Sequence, residues 1–316
     1  MADPSATFIY NSMYSAAGHK DVKGVIDQTS KKYPLLYWLK QTRKINERGG
    51  YSVRRRIQIR DIDTAQTFGR GASFAENDPD CFTMAEYNYQ NIGDSLTRYW
   101  LDEQIATGKE QMIDLVKENT RIVEKNVEKK LSAQFWATTP GASDFNGVPY
   151  FVSATPSTGT AGGISRSTET WWRNQQKTAT GSAYTYLLDD TMNLFNTLSQ
   201  YEKPDFAMAG QTVFELFNAV TREQKFITDK RMGDAEFANI AWNSMPIMLD
   251  MDAPSGSLYL MNSDYLDLHI DPKVSFKWTD WKSIPNKLDL MGQYIVRGQL
   301  MCWKLICQGV LTGIAA

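Results

Sequence analysis

A chain of 316 residues with 42% hydrophobic and 22% charged residues has an ordinary globular composition, which excludes general disorder and leaves room for one large domain or two. No run approaches the ~18 apolar residues of a membrane span and no apolar leader opens the chain, so neither a spanning nor a secreted protein is expected. The net charge of −2 hides an asymmetry: residues 1–60 hold twelve Lys/Arg against four Asp/Glu, so about +8 sits there and about −10 in the remainder.

The first 34 residues are polar and irregular, and Pro34 precedes the apolar cluster LLYWL at 35–39. This reads as an extended arm with one adhesive patch, Trp38 included, that docks on its own body or on a neighbour. Residues 51–60, YSVRRRIQIR, alternate: Tyr51, Val53, Ile57 and Ile59 face one way, and Ser52, Arg54, Arg56, Gln58 and Arg60 the other. That period predicts a strand with a basic face. A second β-forming run covers 81–92, and the Gly- and Pro-containing stretch between them reads as a loop. The pair is expected to form a long two-stranded hairpin, which is marginal alone and so must lie against something.

Residues 107–136 carry the clearest helical pattern. Thr107 and Glu110 fit a capping box, and Met112, Val116, Val123, Val127, Leu131 and Phe135 recur at 3.6 spacing until Pro140-Gly141. Residues 153–163 are Ser/Thr/Gly-rich loop chemistry, after which Trp171, Trp172, Arg173 and Asn174 arrive together. Their readings are a loop pinned to the core, an anchor between subunits, or a platform for stacked bases. Further helices are expected at 186–201 and 212–226, a short strand in PDFAMAG, short strands between Pro and Gly turns over 238–270, and a β-rich region from 274 onward. The outline is α+β.

Signatures of chemistry are sparse. His19 and His269 are the two histidines, and no GxSxG accompanies His269, so a hydrolase built on it is a weak alternative. GRGASF at 69–74 is a poor dinucleotide loop, no GxxxxGK[ST] occurs, and Asp61 and Asp63 lack the rest of a calcium loop. Cys81, Cys302 and Cys307 have no metal-ligand spacing and fit free thiols in a reducing compartment. No enzyme, cofactor or metal is expected. The basic strand, with Arg55 behind it, suits a phosphate backbone or an acidic neighbour.

FNGVPYFVS at 145–153 followed by GGISRSTETWWRNQ at 162–175, then PDFAMAGQTVFE at 204–215, NIAWNSMPIMLDMDAPSGSLYLMNSDYLDLHI at 239–270 and GQLMCWKLICQGVLTGI at 298–314, resemble tailed-phage major capsid proteins. That family builds its shell from the Hong Kong 97 (HK97) fold, and the resemblance runs from about residue 85 to the C-terminus. It implies an N-terminal arm at 1–48, an extended-loop hairpin at 49–100, a peripheral domain with its long spine helix at 101–202, an axial domain at 203–266, and return strands at 267–316. It implies a non-enzymatic protein that self-assembles as hexamers and pentamers into an icosahedral head around double-stranded DNA. Assembly would take place in the host cytoplasm and the product would be a virion, with no membrane involved. Arg54, Arg56, Arg60, Trp38, Trp171, Trp172 and Arg173 are then the expected assembly or electrostatic contacts, joined by the arm residues Lys20, Lys23, Lys31 and Lys32.

Two departures from the family refine this. No heptad segment precedes the arm, so a separate scaffolding protein is expected, with a portal and a decoration or cement protein as further partners. Residues 49–101 contain no lysine, so the lysine–asparagine crosslink of some members is not expected. An encapsulin-like compartment is the alternative within the same fold.

Overall fold

The computed structural model describes residues 33–42, 45–47, 49–61, 64–71, 73, 80–100, 109–221 and 239–315. Within them the chain begins as a helix, α1 (Pro34–Gln41), where the sequence pattern predicts an extended segment. Proline is preorganised for the first helical position. The helical period then gathers Leu35, Leu36, Trp38 and Leu39 on one side, and all four are buried. Trp38 stacks on Phe206 with ring centroids 3.8 Å apart, so the adhesive patch docks on its own chain. The arm lysines lie outside the described residues.

Four strands follow: β1 (Ile45–Glu47), β2 (Ser52–Gln58), β3 (Phe82–Asn88) and β4 (Gln90–Arg98). β2 and β3 form the expected antiparallel hairpin, in a register that sets Arg54 opposite Glu86 and Arg56 opposite Met84. The single run expected over 81–92 is two strands parted at Tyr89. The Tyr89 amide closes the hairpin on the Tyr51 carbonyl at 3.2 Å, and β4 then joins a different sheet. Tyr51, expected on the apolar face, accepts the ladder's last rung, but its side chain is 78% exposed.

The helix expected at 107–136 is α2 (Lys109–Phe135), 27 residues or about 40 Å long. Val123, Val127, Leu131 and Phe135 are buried, as the periodicity requires. Thr107 and the side chains of Glu110, Met112 and Val116 lie outside the described residues. After α3 (Val148–Phe151), the stretch expected as loop contains a minimal hairpin, β5 (Thr160–Ala161) and β6 (Ile164–Ser165). Its turn residues Gly162 and Gly163 have φ of 58° and 78°, conformations that glycine adopts without a Cβ penalty. Then come β7 (Gln175–Thr178), α4 (Ala183–Ser199), β8 (Phe206–Ala209) and α5 (Gln211–Val220).

The strands of the last third are β9 (Asn239–Trp242), β10 (Met245–Leu249), β11 (Leu258–Met261), β12 (Leu266–Ile270), β13 (Lys277–Trp278), β14 (Lys282–Ser283), β15 (Leu290–Cys302) and β16 (Gly309–Thr312). Mixed helices and sheets make the fold α+β, as expected.

The chain divides into two compact units. The described residues of the smaller are 92–100, 109–131 and 274–296; there β4, β13 and β14 pair with the first half of β15. Trp278 stacks near Trp281 and donates its indole N–H to Glu124 of α2 at 3.0 Å, which ties this sheet to the helix.

The larger unit takes residues 33–91, 132–273 and 297–316. Its main sheet has the order β7-β16-β11-β8-β10-β9, with β8 parallel to β10 and β7 parallel to β16. β8 is buried on both faces, as its unbroken apolar run FAMA demands. Leu187, Leu194 and Leu198 of α4 and Val213, Phe214 and Phe217 of α5 bury themselves against this sheet, and Trp242 packs edge-on to Phe195 and Phe217. In the same unit β12 runs parallel to β1 and antiparallel to residues 298–302 of β15. A Cβ on Gly298 would sit 2.5 Å from the His269 carbonyl oxygen, so only glycine allows that rung to close.

Gly298→Ala is therefore expected to destabilise the chain by about 1–3 kcal/mol, seen as a lower urea midpoint. Gly69→Ala, where a Cβ meets nothing within 4 Å, should stay within about 0.5 kcal/mol of the parent.

Candidate functional site

The β2–β3 hairpin has two unlike faces. On one, Val53, Ala85 and Tyr87 are buried against the rest of the larger unit, to which the hairpin belongs. Tyr87 donates its hydroxyl to the Cys302 carbonyl at 2.8 Å and meets Phe151 and Trp303 edge-on, at 5.8 and 5.3 Å between centroids. Burial pushes its phenol well above the ordinary range, so it stays a neutral donor. The outer edge of β3 is met by the β5–β6 turn: the Glu86 amide donates to the Gly162 carbonyl at 3.0 Å.

The other face of the hairpin lies in the open. It carries Arg54, Arg56 and Gln58 from β2 and Phe82, Met84 and Glu86 from β3, with Phe82 60% and Met84 50% exposed. Arg54 pairs with Glu86 at 3.0 Å, and Ser52 donates to the same carboxylate at 2.6 Å. These two donors hold the Glu86 carboxyl below its ordinary range. Among the described residues the guanidinium groups of Arg56 and Arg60 have no acidic partner.

Beside β2 lies a cleft of about 600 Å³. One wall is the consecutive stretch from Arg55 to Asp61, and Trp171, Tyr201, Tyr265 and Lys304 stand opposite, with Trp303, Leu305 and Ile306 completing the lining. The volume is that of a ligand site. Arg55 lies over the Trp303 ring at 5.6 Å, and Lys304 lies over Tyr265 at 5.0 Å while bonding Glu202 at 2.6 Å. Lys304 and the Tyr265 hydroxyl both donate to Glu202 and hold its carboxyl below the ordinary range.

The tryptophan pair divides its labour. Trp172 is 1% exposed and donates its indole N–H to the Ala161 carbonyl at 2.8 Å, which pins the loop to the core. Trp171 sits half-buried with its indole N–H on Glu169 at 2.6 Å, and its ring joins the cleft wall. Arg173 holds the loop from within, donating to the carbonyls of Arg166 at 2.6 Å and Ser167 at 2.9 Å. Of the residues singled out from sequence, Arg56, Arg60, Trp171 and Trp172 thus meet at one cleft. Arg54 lies on the adjoining open face, while Trp38 is buried elsewhere. The pattern missed Tyr201, Tyr265, Trp303 and Lys304, which are brought to the cleft from distant segments.

His269 lies on β12, edge-on to Trp303. The neighbouring 450 Å³ cavity is lined by Asn46, Glu47, Val53, Arg54, Arg55, Asp267, His269 and Trp303, with no hydroxyl or thiol among them. Among the described residues no group of His, Cys, Asp and Glu is placed to hold a metal ion. No helix there is long and apolar enough to cross a membrane.

No family model and no curated protein sequence matches the chain. Solved structures do. A chain of the cyanophage A-1(L) capsid asymmetric unit superposes with a TM-score of 0.73 at 16% identity, over 96% of this chain and 98% of that one. A chain from Mycobacterium phage Bobi gives 0.64 at 9% identity over 100% of both. The encapsulin of the holo-SrpI complex from Synechococcus elongatus PCC 7942 gives 0.63 at 12% identity, over 99% of this chain and 96% of that one. The chain has the Hong Kong 97 shell fold. In this shell fold the thiols are packing groups: burial pushes Cys302 up to about 12 and Cys307 up to about 11.

Iodoacetamide at mildly alkaline pH is accordingly expected to alkylate Cys81, which is half-exposed, in the native chain. Cys302 and Cys307 should react only after unfolding, as read by intact mass with and without denaturant.

Proposed function

We propose that this chain is the major capsid protein of a tailed double-stranded DNA phage, assembling as hexamers and pentamers into the icosahedral head shell of a virion. The observation that carries this reading is the end-to-end match to the cyanophage A-1(L) capsid chain, over 96% of one and 98% of the other. The open hairpin face supports it. Phe82 and Met84 beside two arginines form a surface that favours a protein partner, since apolar groups gain nothing from a phosphate backbone.

In this reading residues 1–48 are the arm, 49–100 the extended loop, 101–202 the peripheral domain with α2 as its spine, 203–266 the axial domain and 267–316 the return strands. Its role is structural rather than enzymatic. A separate scaffolding protein, a portal and a decoration or cement protein are its partners, and the arm lysines face the packaged DNA or acidic neighbours. Arg54, Arg56 and Arg60 serve contacts between subunits. The encapsulin reading rests on the match to the holo-SrpI chain, whose TM-score of 0.63 is lower than the 0.73 of the cyanophage capsid.

Negative-stain imaging of the purified chain, co-expressed with a scaffolding protein, is expected to show capsomer rings, tubes or closed shells. Persistent monomers would overturn the shell reading, and shells filled with an enzyme in place of DNA would turn it to the encapsulin. Replacing Arg54, Arg56 and Arg60 by Glu should abolish regular particles with at most a small fall in melting temperature, because all three side chains are exposed and only Arg54 loses an ion pair, to Glu86. With no lysine in residues 49–101, mature particles should run as single chains on denaturing gels; a covalent ladder would contradict that.

A further inference from the structure

Among the described residues β2 pairs with β3 and with no other strand, so one of its edges has no described strand beside it. Which residues point to that edge follows from the rungs at the two ends of the ladder. The Ile59 amide donates to the Cys81 carbonyl and the Tyr51 carbonyl accepts from the Tyr89 amide, so residues 51 to 59 of odd number turn their backbone groups toward β3. The amides and carbonyls of Arg54, Arg56 and Gln58 therefore point outward, and among the described residues no backbone group bonds them. This edge is the wall of the 600 Å³ cleft that runs from Arg55 to Asp61. A row of unpaired strand groups facing a cleft is a template for one more strand.

The side chains set what that strand would carry. On the solvent face it would run beside Arg56 and Arg60, and on the inner face beside Ile57 and Ile59, with Arg55 already drawn over the Trp303 ring. Directly apposed side chains of neighbouring strands interact, and opposite charges are favoured there. Acidic residues on one face and apolar residues on the other match both sets. The first 60 residues of this chain, at about +8, have the wrong sign for the site.

We propose that the cleft beside β2 captures an extended segment of a different polypeptide, with alternating acidic and apolar residues, as a third strand of the hairpin. The solvent-face arginines select the charge, and the outward amides of Arg54, Arg56 and Gln58 supply the backbone pairing. The proposal concerns the free chain, before these arginines meet a neighbouring subunit.

The probe is a fluorescein-labelled peptide of about eight residues alternating Glu and Val, capped at both ends. It is added to the full chain and followed by anisotropy and by amide hydrogen exchange. Binding with protection at Arg54, Arg56 and Gln58 is expected, with no binding of the Lys-Val counterpart. Arg56→Glu with Arg60→Glu should weaken binding about tenfold or more. Gln58→Pro removes an outward donor while sparing the β3 ladder, so it should abolish capture with the hairpin intact by circular dichroism and melting temperature. Four results would overturn the proposal: no binding by the Glu-Val peptide, equal binding by the Lys-Val peptide, capture that survives Gln58→Pro, or displacement of the peptide by oligothymidine at equal concentration. The imaging of particles reads the shell assignment separately, so either idea can fail alone.

Discussion

Tyr87 is where the hairpin is fastened. A two-stranded ribbon has too little surface to bury to be stable by itself, and this one is held by one aromatic side chain reaching into the larger unit. The ring is wedged between Phe151 and Trp303, and its hydroxyl satisfies the Cys302 carbonyl. The turn against it needs Gly162, because a Cβ there would lie 2.9 Å from the Tyr87 ring and hydroxyl. Three separate stretches of chain, at 151, 162 and 302–303, thus converge on one phenol, and the placement of β2, its edge and the cleft all depend on it.

Fastening one face leaves the other face free, and the charges show how the chain manages that. The hairpin's outer surface sets arginines beside the exposed Phe82 and Met84, so charge and apolar area share one face. Arg54 is already engaged by Glu86, so the charge left for another molecule lies at Arg56 and Arg60, toward the cleft. Around the cleft the aromatic groups are fixed before any ligand arrives: Trp171 by Glu169, Tyr265 by Glu202, and Trp303 by Asp267 at 3.1 Å. Groups held this way lose little freedom on binding.

The fold and the cleft were legible in the sequence to different depths. Alternation in 51–60 shows β2 and its basic face because a strand's side chains repeat every two residues, whatever the surroundings. The stripe from Val123 to Phe135 shows α2 by the same reasoning at 3.6 residues per turn. Periodicity does not report where a strand stops pairing with one neighbour and starts with another, so the parting at Tyr89 was invisible. It does not separate a short buried helix from an extended apolar patch either, and α1 was misread for that reason. Residues 153–163 read as loop by composition, and β5, with β6 just beyond it, stays hidden because strands of two residues leave no pattern.

By itself the sequence determined the α+β class, the helices and strands long enough to show their period, the basic face of β2, the free thiols, and a resemblance strong enough to name a shell fold. Tertiary structure decided the rest. It put Trp172 in the core and Trp171 on a cleft wall, although they are adjacent in the chain. It brought Tyr201, Tyr265 and Lys304 opposite Arg56 and Arg60, and among the described residues it set no strand beside one edge of β2. The physical reason is that composition and spacing act through neighbours along the chain. Burial, the pairing of an edge and the meeting of distant charges are set by contacts between segments more than a hundred residues apart, and no local pattern carries them.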